Sequence, residues 1–600
     1  MDETKLTGES KDIVLDNISK LKEIFPEIVT EDKIDFDELK LILGENIDDS
    51  KEKYSFTWPG KTQAIRESQK QSTGTLRPCP DESKNWDTTQ NLYIEGDNLE
   101  VLKLLQKGYY NKIKMIYIDP PYNTGKDFVY TDNYKDNLKN YLETQQYTTN
   151  KDTDGRFHTN WLNMIYPRLK LARNLLKQDG TIFISIDDRE QSNLKKICDE
   201  VFGEENFIRN VIWEKKYSPA NDSKVISDNH DHILVYAKNI HEWTMGLLPR
   251  TKEMNKRYIN KDNDSRGPWK PGGLSAKTYS AKYDYPVETP SGKIVNPPSG
   301  SCWQVSKERL QELIEDNRIY FGVNGDSKPQ IKQFLSEVQQ GMVPKSIWSF
   351  DEVGHNQISR KEITDLFDQF IFDTPKPTKL IQRMIKISNL KDNDIVMDFF
   401  AGSSSTAHAV MEYNAKENTN HRFIMIQIPE LCNENSYAFK QGFHTITEIG
   451  RERIIKAGLK ICEEYNENID IGFKVFKLDS SNLEKWDPDY NDIQQSLTVD
   501  QIKKDRLNDD LIYEIMLKYG VDLIWPIETD DNIYSIGYGA LIICLDDHIT
   551  TAIAKKVLEL SKKSSVSRVV FKDSGFATDS DKTNIKEILK VNNIDEFITI

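Results

Sequence analysis

The hydrophobic positions along the chain change period several times, and each change marks an element. Ile13, Leu15, Ile18, Leu21, Ile24 and Phe25 recur at helical spacing among acidic residues, which predicts a small helical appendage over residues 1–50, polar from about 47 to 53. Residues 55–89 carry Pro59, Pro78 and Pro80 and read as an irregular connection. A short apolar strand over 92–94 then turns at Gly96-Asp97-Asn98 into a helix bearing Leu99, Leu102 and Leu105. Lys114-Met115-Ile116-Tyr117-Ile118 has the pattern of a buried strand and stops at Asp119-Pro120-Pro121-Tyr122. A helix over 161–177, closed by Asp179-Gly180, and an apolar strand over 181–186 follow.

From about 207 to 370 this alternation breaks into short strands, Gly and Pro clusters, and aromatics interleaved with basic residues. It resumes with a strand over 394–400, a tight turn at Gly402-Ser403, a helix over 406–413 and a strand over 423–428. One parallel α/β sheet interrupted by a long insertion explains the order, and ligands of such sheets lie beyond the carboxyl ends of the strands. Residues 475–600 hold a strand at 540–545, a helix with Ile553, Val557 and Leu560, and a strand at 569–571, a small α/β unit of their own. The expected division is therefore 1–50, 51–206, 207–370, 371–474 and 475–600.

The 600 residues, 37% of them hydrophobic, supply material for several cores. No run approaches ~18 apolar residues, and the opening residues lack a basic segment followed by an apolar one, which disfavours membrane and secreted classes. The six cysteines are scattered without a C-x-x-C pair, so neither a disulfide framework nor a zinc cluster is expected and a reducing cytoplasm fits. The net charge of -16 is uneven: residues 475–600 have 15 Lys and Arg against 23 Asp and Glu, while residues 211–300 have 14 against 10. A polyanion can engage the middle of the chain while acidic ends stay clear of it; the same ends also serve solubility alone.

Two strand ends carry candidate chemistry. In Asp119-Pro120-Pro121-Tyr122 the prolines remove backbone donors and stiffen the turn, leaving a carboxylate and the Pro120 carbonyl to accept the two hydrogens of an exocyclic amine. Tyr122 offers a face on which an extruded base can stack. Read alone, the string more often describes only a rigid turn. In Asp398-Phe399-Phe400-Ala401-Gly402-Ser403 a strand enters a small-residue turn ahead of a helix, a place for close backbone approach and for a carboxylate. S-adenosylmethionine presents a carboxylate, an ammonium, ribose hydroxyls and adenine, which Asp398, the turn amides, and Gln427 and Glu430 after the next strand can meet; Glu430 is also readable as an ordinary exposed carboxylate.

These pieces, with Asp373-Thr374-Pro375-Lys376-Pro377, resemble the amino-methyltransferases of DNA, in the beta order that places the catalytic half (51–206) before the cofactor half (371–474) with target recognition (207–370) between. The similarity extends through Leu92-Tyr93-Ile94-Glu95-Gly96-Asp97-Asn98-Leu99, Tyr117 to Gly125, Pro167-Arg168-Leu169, Ser185-Ile186-Asp187-Asp188 and Gly472-Phe473-Lys474-Val475-Phe476-Lys477, and is closest in kind to the modification (Mod) subunits of Type III restriction-modification systems. It implies a Rossmann-like methyltransferase sheet in permuted order and an adenine-N6 methyltransferase using S-adenosylmethionine. It further implies a double-stranded DNA substrate, homodimerisation through the C-terminal domain and docking of a restriction (Res) subunit. Asp119, Pro120, Pro121 and Tyr122 would be catalytic, and Asp97, Lys376, Pro377, Asp398, Phe400, Gly402 and Ser403 would surround the cofactor. The family turn Gly-Ser-Gly-Thr-Thr reads Gly402-Ser403-Ser404-Ser405-Thr406 here, so Ser404 is strained if the position needs positive φ.

The insertion reads as the recognition region, with Lys215, Lys216, Lys256, Arg257, Arg266 and Lys270 as candidate DNA contacts beside Trp213, Tyr217, Tyr258 and Trp269. His230 and His232 read as strand-edge polar residues, and no metal is expected. No P-loop motif occurs, so an ATP-driven motor belongs to another chain. Competing readings are a cytosine-N4 or protein-glutamine methyltransferase, and a recognition subunit whose catalysis has decayed.

Overall fold

A continuous apolar run buried on both faces is the signature of a central parallel strand, and Ile113–Ile118 is buried at every position. In the computed structural model, which describes residues 9–30, 33–43, 55–124, 128–129, 148–149, 157–219, 226–465, 469–483, 502–562, 568–594 and 596–600, this strand lies in a ten-stranded sheet. Gly125 and the polar stretch 47–53 fall outside the described residues.

In chain order the sheet's strands are β1 (Gly74–Pro78), β2 (Leu92–Glu95), β3 (Ile113–Ile118), β4 (Leu176–Ile186), β5 (Phe207–Glu214), β6 (His230–Ala237), β7 (Ile347–Trp348), β8 (Ile395–Asp398), β9 (Arg422–Gln427) and β10 (Lys474–Ser480). Their spatial order is β7-β5-β6-β4-β3-β8-β9-β2-β10-β1. The run from β4 to β10 is parallel throughout, and β6 and β1 flank it antiparallel. The later strand β8 thus inserts beside the earlier β3, with Met397 opposite Ile116, and the two motif-bearing strand ends become neighbours. Helices α1 (Asn98–Leu105), α2 (Phe157–Leu175), α3 (Gln191–Phe202), α4 (Thr378–Ile387), α5 (Ser405–Glu417) and α6 (Ile446–Tyr465) cover the sheet.

The helix expected to end at Lys177 gives way to strand at Leu176 instead. Leu176 already pairs with Ile113 before the register jumps to Met115 opposite Thr181, so residues 177–180 bulge from the ladder rather than close a helix.

The chain divides into two compact units, one of residues 1–245 with 346–600 and one of Gly246–Lys345. The expected insertion 207–370 therefore encloses a smaller body, because β5, β6 and β7 join the large sheet. The smaller unit pairs strand Gln330–Phe334 with Trp269–Gly273 and Ile319–Tyr320, around a core that includes Leu274, Trp303, Leu310 and Phe321.

The C-terminal segment is not a separate appendage. Helix α7 (Asn508–Tyr519) packs on β1, and its Leu511, Ile512, Ile515 and Met516 belong to the same core as β2 and β3. Tyr109 Oη donates to Asp522 at 2.6 Å, and Arg77 Nε to Asp510 at 3.1 Å. Beyond it stands a five-stranded sheet of β11 (Ile527–Asp530), β12 (Ile533–Ile536), β13 (Leu541–Cys544), β14 (Arg568–Phe571) and β15 (Glu596–Thr599). One face shares the main core through Ile536, Leu541, Ile543 and Val570; the other packs α8 (Thr551–Ser561) and α9 (Asp579–Val591) through Val557 and Leu589. Among the described residues no helix is long and apolar enough to cross a membrane.

Candidate active site

Asp119 follows the last residue of β3. Its Oδ1 accepts a 2.8 Å hydrogen bond from Tyr122 Oη, and its Oδ2 is ion-paired with Lys376 Nζ. Lys376 also lies over the Tyr122 ring, 5.3 Å from its centroid. Burial raises the Tyr122 phenol well above its ordinary value, with Asp119 adding to the effect, so the hydroxyl keeps its proton and donates. The loop is held from outside: Trp161 Nε1 donates to the Pro121 carbonyl at 2.7 Å, and Asn123, at φ 58°, donates its Nδ2 to Glu190 at 2.6 Å. Glu190 is fully buried and also meets His158 Nδ1 at 2.6 Å and Asn193 Nδ2 at 2.8 Å.

Asp398 ends the adjacent strand β8. Its Oδ1 accepts from the Phe400 amide at 3.0 Å and its Oδ2 from Thr406 Oγ1 at 2.6 Å. Burial pushes this carboxyl up to about 7; the two hydrogen bonds oppose the rise, and Asp119 reinforces it through space. Gly402 sits at φ 51° and its amide donates to Gln427 Oε1 at 2.7 Å. Ser404 does occupy the left-handed region, at φ 61° and ψ 36°, where a side chain costs about 1–2 kcal/mol. Gly450 on α6 makes room for it: an added Cβ there would lie 2.7 Å from both Ser404 Oγ and Tyr93 Oη. The turn is clamped by Arg453, wholly buried, which donates to Ser403 Oγ at 2.9 Å and Ser405 Oγ at 2.6 Å. Burial lowers the Arg453 guanidinium to about 10, with Glu362 opposing the shift.

The other residues singled out in the sequence have these partners in the structure. Lys376 faces Asp119 directly. Asp97 caps α1, accepting from Leu99 N at 2.9 Å and Glu100 N at 3.1 Å, and its other oxygen takes Arg168 at 3.1 Å. Arg168 in turn grips Asn98, whose Nδ2 donates to the Phe399 carbonyl at 2.6 Å, tying α1 to the end of β8. Gln427 spends its amide oxygen on the Gly402 turn, Pro377 precedes α4, and Phe400 is buried. Glu430 is half-buried, and burial raises its carboxyl above the ordinary range. Lys215 is taken up by Asp231 at 2.7 Å and Asp228 at 3.1 Å, and Arg266 by Asp264 at 2.9 Å and the carbonyls of Asp316 and Asn317. Lys216, Lys256 and Arg257 are exposed, and Lys270 lies 5.2 Å from the Tyr258 ring. Asn98, Arg168, Glu190 and Arg453 were missed as site residues, since each acts through partners remote in sequence.

A mostly parallel α/β sheet with a D-P-P-Y strand end beside a carboxylate and small-residue turn defines the class. The family model described as DNA methylase matches residues 113–436, more than half of the chain. The chain is 36% identical to the StyLTI Mod subunit of Salmonella typhimurium, over 77% of this chain and 73% of that one. It is 32% identical to the EcoP15I Mod subunit of Escherichia coli, over 73% of each, and 34% identical to the EcoPI Mod subunit of Escherichia phage P1, again over 73% of each. The chain belongs to the N6/N4 DNA methylases and, within them, to the Mod subunits of Type III restriction-modification enzymes.

Proposed function

We propose that the chain is an S-adenosylmethionine-dependent methyltransferase acting on the N6 of an adenine turned out of duplex DNA. The observation that carries this is the pairing of Asp119 and Asp398 on adjacent strand ends, with Tyr122 at the first and the Gly402 turn at the second. The residues present fit the cofactor: a buried carboxylate held near neutrality calls for a cation, and a turn with two positive-φ residues ahead of a helix N-terminus suits a carboxylate. S-adenosylmethionine supplies an electrophilic sulfonium methyl. Asp398 would hold its ammonium, the turn amides its carboxylate, and Glu430 its ribose side.

Asp119 and the Pro120 carbonyl accept the two amine hydrogens, which turns the nitrogen lone pair out of ring conjugation. Tyr122 stacks the base, returning ~1–3 kcal/mol against the few kcal/mol that extrusion costs. Lys376 now occupies the Asp119 oxygen that the amine needs, so the incoming amine displaces its ammonium. Asp231, buried and close enough to interact with both Lys376 and Asp119, is the neighbouring carboxylate toward which that charge can lean. Asp119 therefore acts as an acceptor that orients the amine, and positioning supplies most of the acceleration.

Exposed Lys216, Lys256 and Arg257, with half-buried Lys270, are the candidates for phosphate contact, whereas Lys215 and Arg266 support the fold around them. The names of the relatives, Mod subunits of Type III restriction-modification enzymes, support a Res subunit as partner; a cytoplasmic setting and homodimerisation are part of the same proposal. The test is transfer of labelled methyl to unmethylated plasmid by wild type and Asp119→Ala, with the product nucleoside identified by mass spectrometry. N6-methyladenine from wild type and a loss of at least about 100-fold in the variant are expected; N4-methylcytosine would overturn the adenine assignment.

A further inference from the structure

At the carboxyl end of β4, beside the catalytic strand, two histidines and an aspartate converge. His230 and His232 stand two apart on β6, and a strand's period of two puts both side chains on one face. Their rings meet edge to face with centroids 5.1 Å apart. Asp188, just past β4, reaches the same spot: its Oδ1 is 2.7 Å from His232 Nε2 and 3.9 Å from His230 Nε2. One ligand atom from each of the three lies within 4.8 Å of the others. Ligands bound at 2.0–2.2 Å in a tetrahedral zinc site stand about 3.4 Å apart, so the two measured separations straddle the spacing required.

The surroundings favour a ligand set over an incidental contact. His232 presents Nε2 to Asp188 while its Nδ1 faces Asn210 on β5, at 3.1 Å from Nδ2 and 3.3 Å from Oδ1. Metal-binding histidines are commonly oriented in this way through the nitrogen that does not ligate. The His232 side chain is largely enclosed, at 12% exposure, whereas Asp188, at 71%, opens the cluster to solvent and can move the few tenths of an ångström that coordination demands. No cysteine takes part, which sets the site apart from closed thiolate centres and leaves a fourth position open.

We propose that Asp188, His230 and His232 bind a divalent transition-metal ion of the zinc class, with Asn210 orienting His232 and one position left for water or an external oxygen ligand. The site is independent of the methyl-transfer reading, since it uses none of the residues that act on the amine or the cofactor. Titration of the full-length, metal-stripped protein with Co2+ tests it. One equivalent with a visible d–d absorption band is expected, displaced by Zn2+. His230→Ala with His232→Ala abolishes the band, Asp188→Asn weakens binding while keeping the side chain's shape, and Asn210→Ala weakens it about 10- to 100-fold. No band in the wild type, or an equal band in the double variant, would overturn the proposal. Retained S-adenosylmethionine binding by each variant shows that a lost band does not report misfolding.

Discussion

At the scale of single residues, Asp398 gives the site its sharpest pH signature. Its carboxyl lies at about 7 in the folded chain against 3.8 for the free side chain. A folded value raised in this way adds stability that is complete below about 4 and lost as pH rises through 7, because the buried carboxylate is then uncompensated. An ammonium bound there reverses the preference. Affinity for S-adenosylmethionine should therefore strengthen as pH rises from 6 to 8, and Asp398→Asn should bind weakly with a flat profile; calorimetric titration across that range checks both. Asp119, Tyr122 and Asp398 were legible in the sequence because each lies in a short string whose chemistry is local. The ion pair of Lys215 was not legible for the opposite reason: a basic residue beside aromatics looks free until folding brings Asp231 of the neighbouring strand against it. Ser404 was legible in part. Its positive φ could be anticipated from the turn, but the space ceded by Gly450 could not.

At the scale of elements, the loop after β3 is held by α2 and by the start of α3 rather than by its own prolines alone. Trp161 fixes Pro121, and Glu190 gathers Asn123, His158 and Asn193. Replacing a buried acceptor of several donors leaves partners unsatisfied, at about 1–3 kcal/mol. Glu190→Gln should lower kcat/KM for DNA by roughly tenfold or more while cofactor affinity stays near the wild-type value. A 2-aminopurine reporter at the target base should lose its extrusion signal in parallel; an unchanged signal would separate Glu190 from the Tyr122 platform. Strands β2, β3, β4, β8 and β9 and helices α1, α2 and α5 could be read from periodicity, whereas β1 lies in the stretch read as an irregular connection. The bulge at 177–180 could not be read, since Lys114 of β3 reaches Asp179 on the neighbouring strand β4 at 2.7 Å, a contact between residues far apart in sequence. Nor could the membership of β5 and β6, whose polar positions resemble those of an insertion.

At the scale of the whole molecule, residues 246–345 form a unit with its own core, whereas 475–600 do not stand apart. Replacing 246–345 by a short flexible linker should leave S-adenosylmethionine binding intact and abolish sequence-selective methylation, as measured by calorimetry and by mapping methylated sites on plasmid DNA. Loss of cofactor binding as well would show that the two units depend on each other for folding. The acidic C-terminal stretch looked separable because its charge and its strand pattern differ from the rest, yet α7 buries one face against β1, a relation that no local pattern encodes.

That closure bears on how the protein is made. Strand β1 finds its ladder partner in β10, about 400 residues later, and α7 follows after that. At ~5–20 residues per second, a ribosome takes roughly 20–80 s to deliver them. Through that interval the nascent chain holds an unfinished sheet edge and an uncovered apolar surface, so chaperone protection during synthesis, more than the stability of the finished protein, should set how much active enzyme a cell obtains.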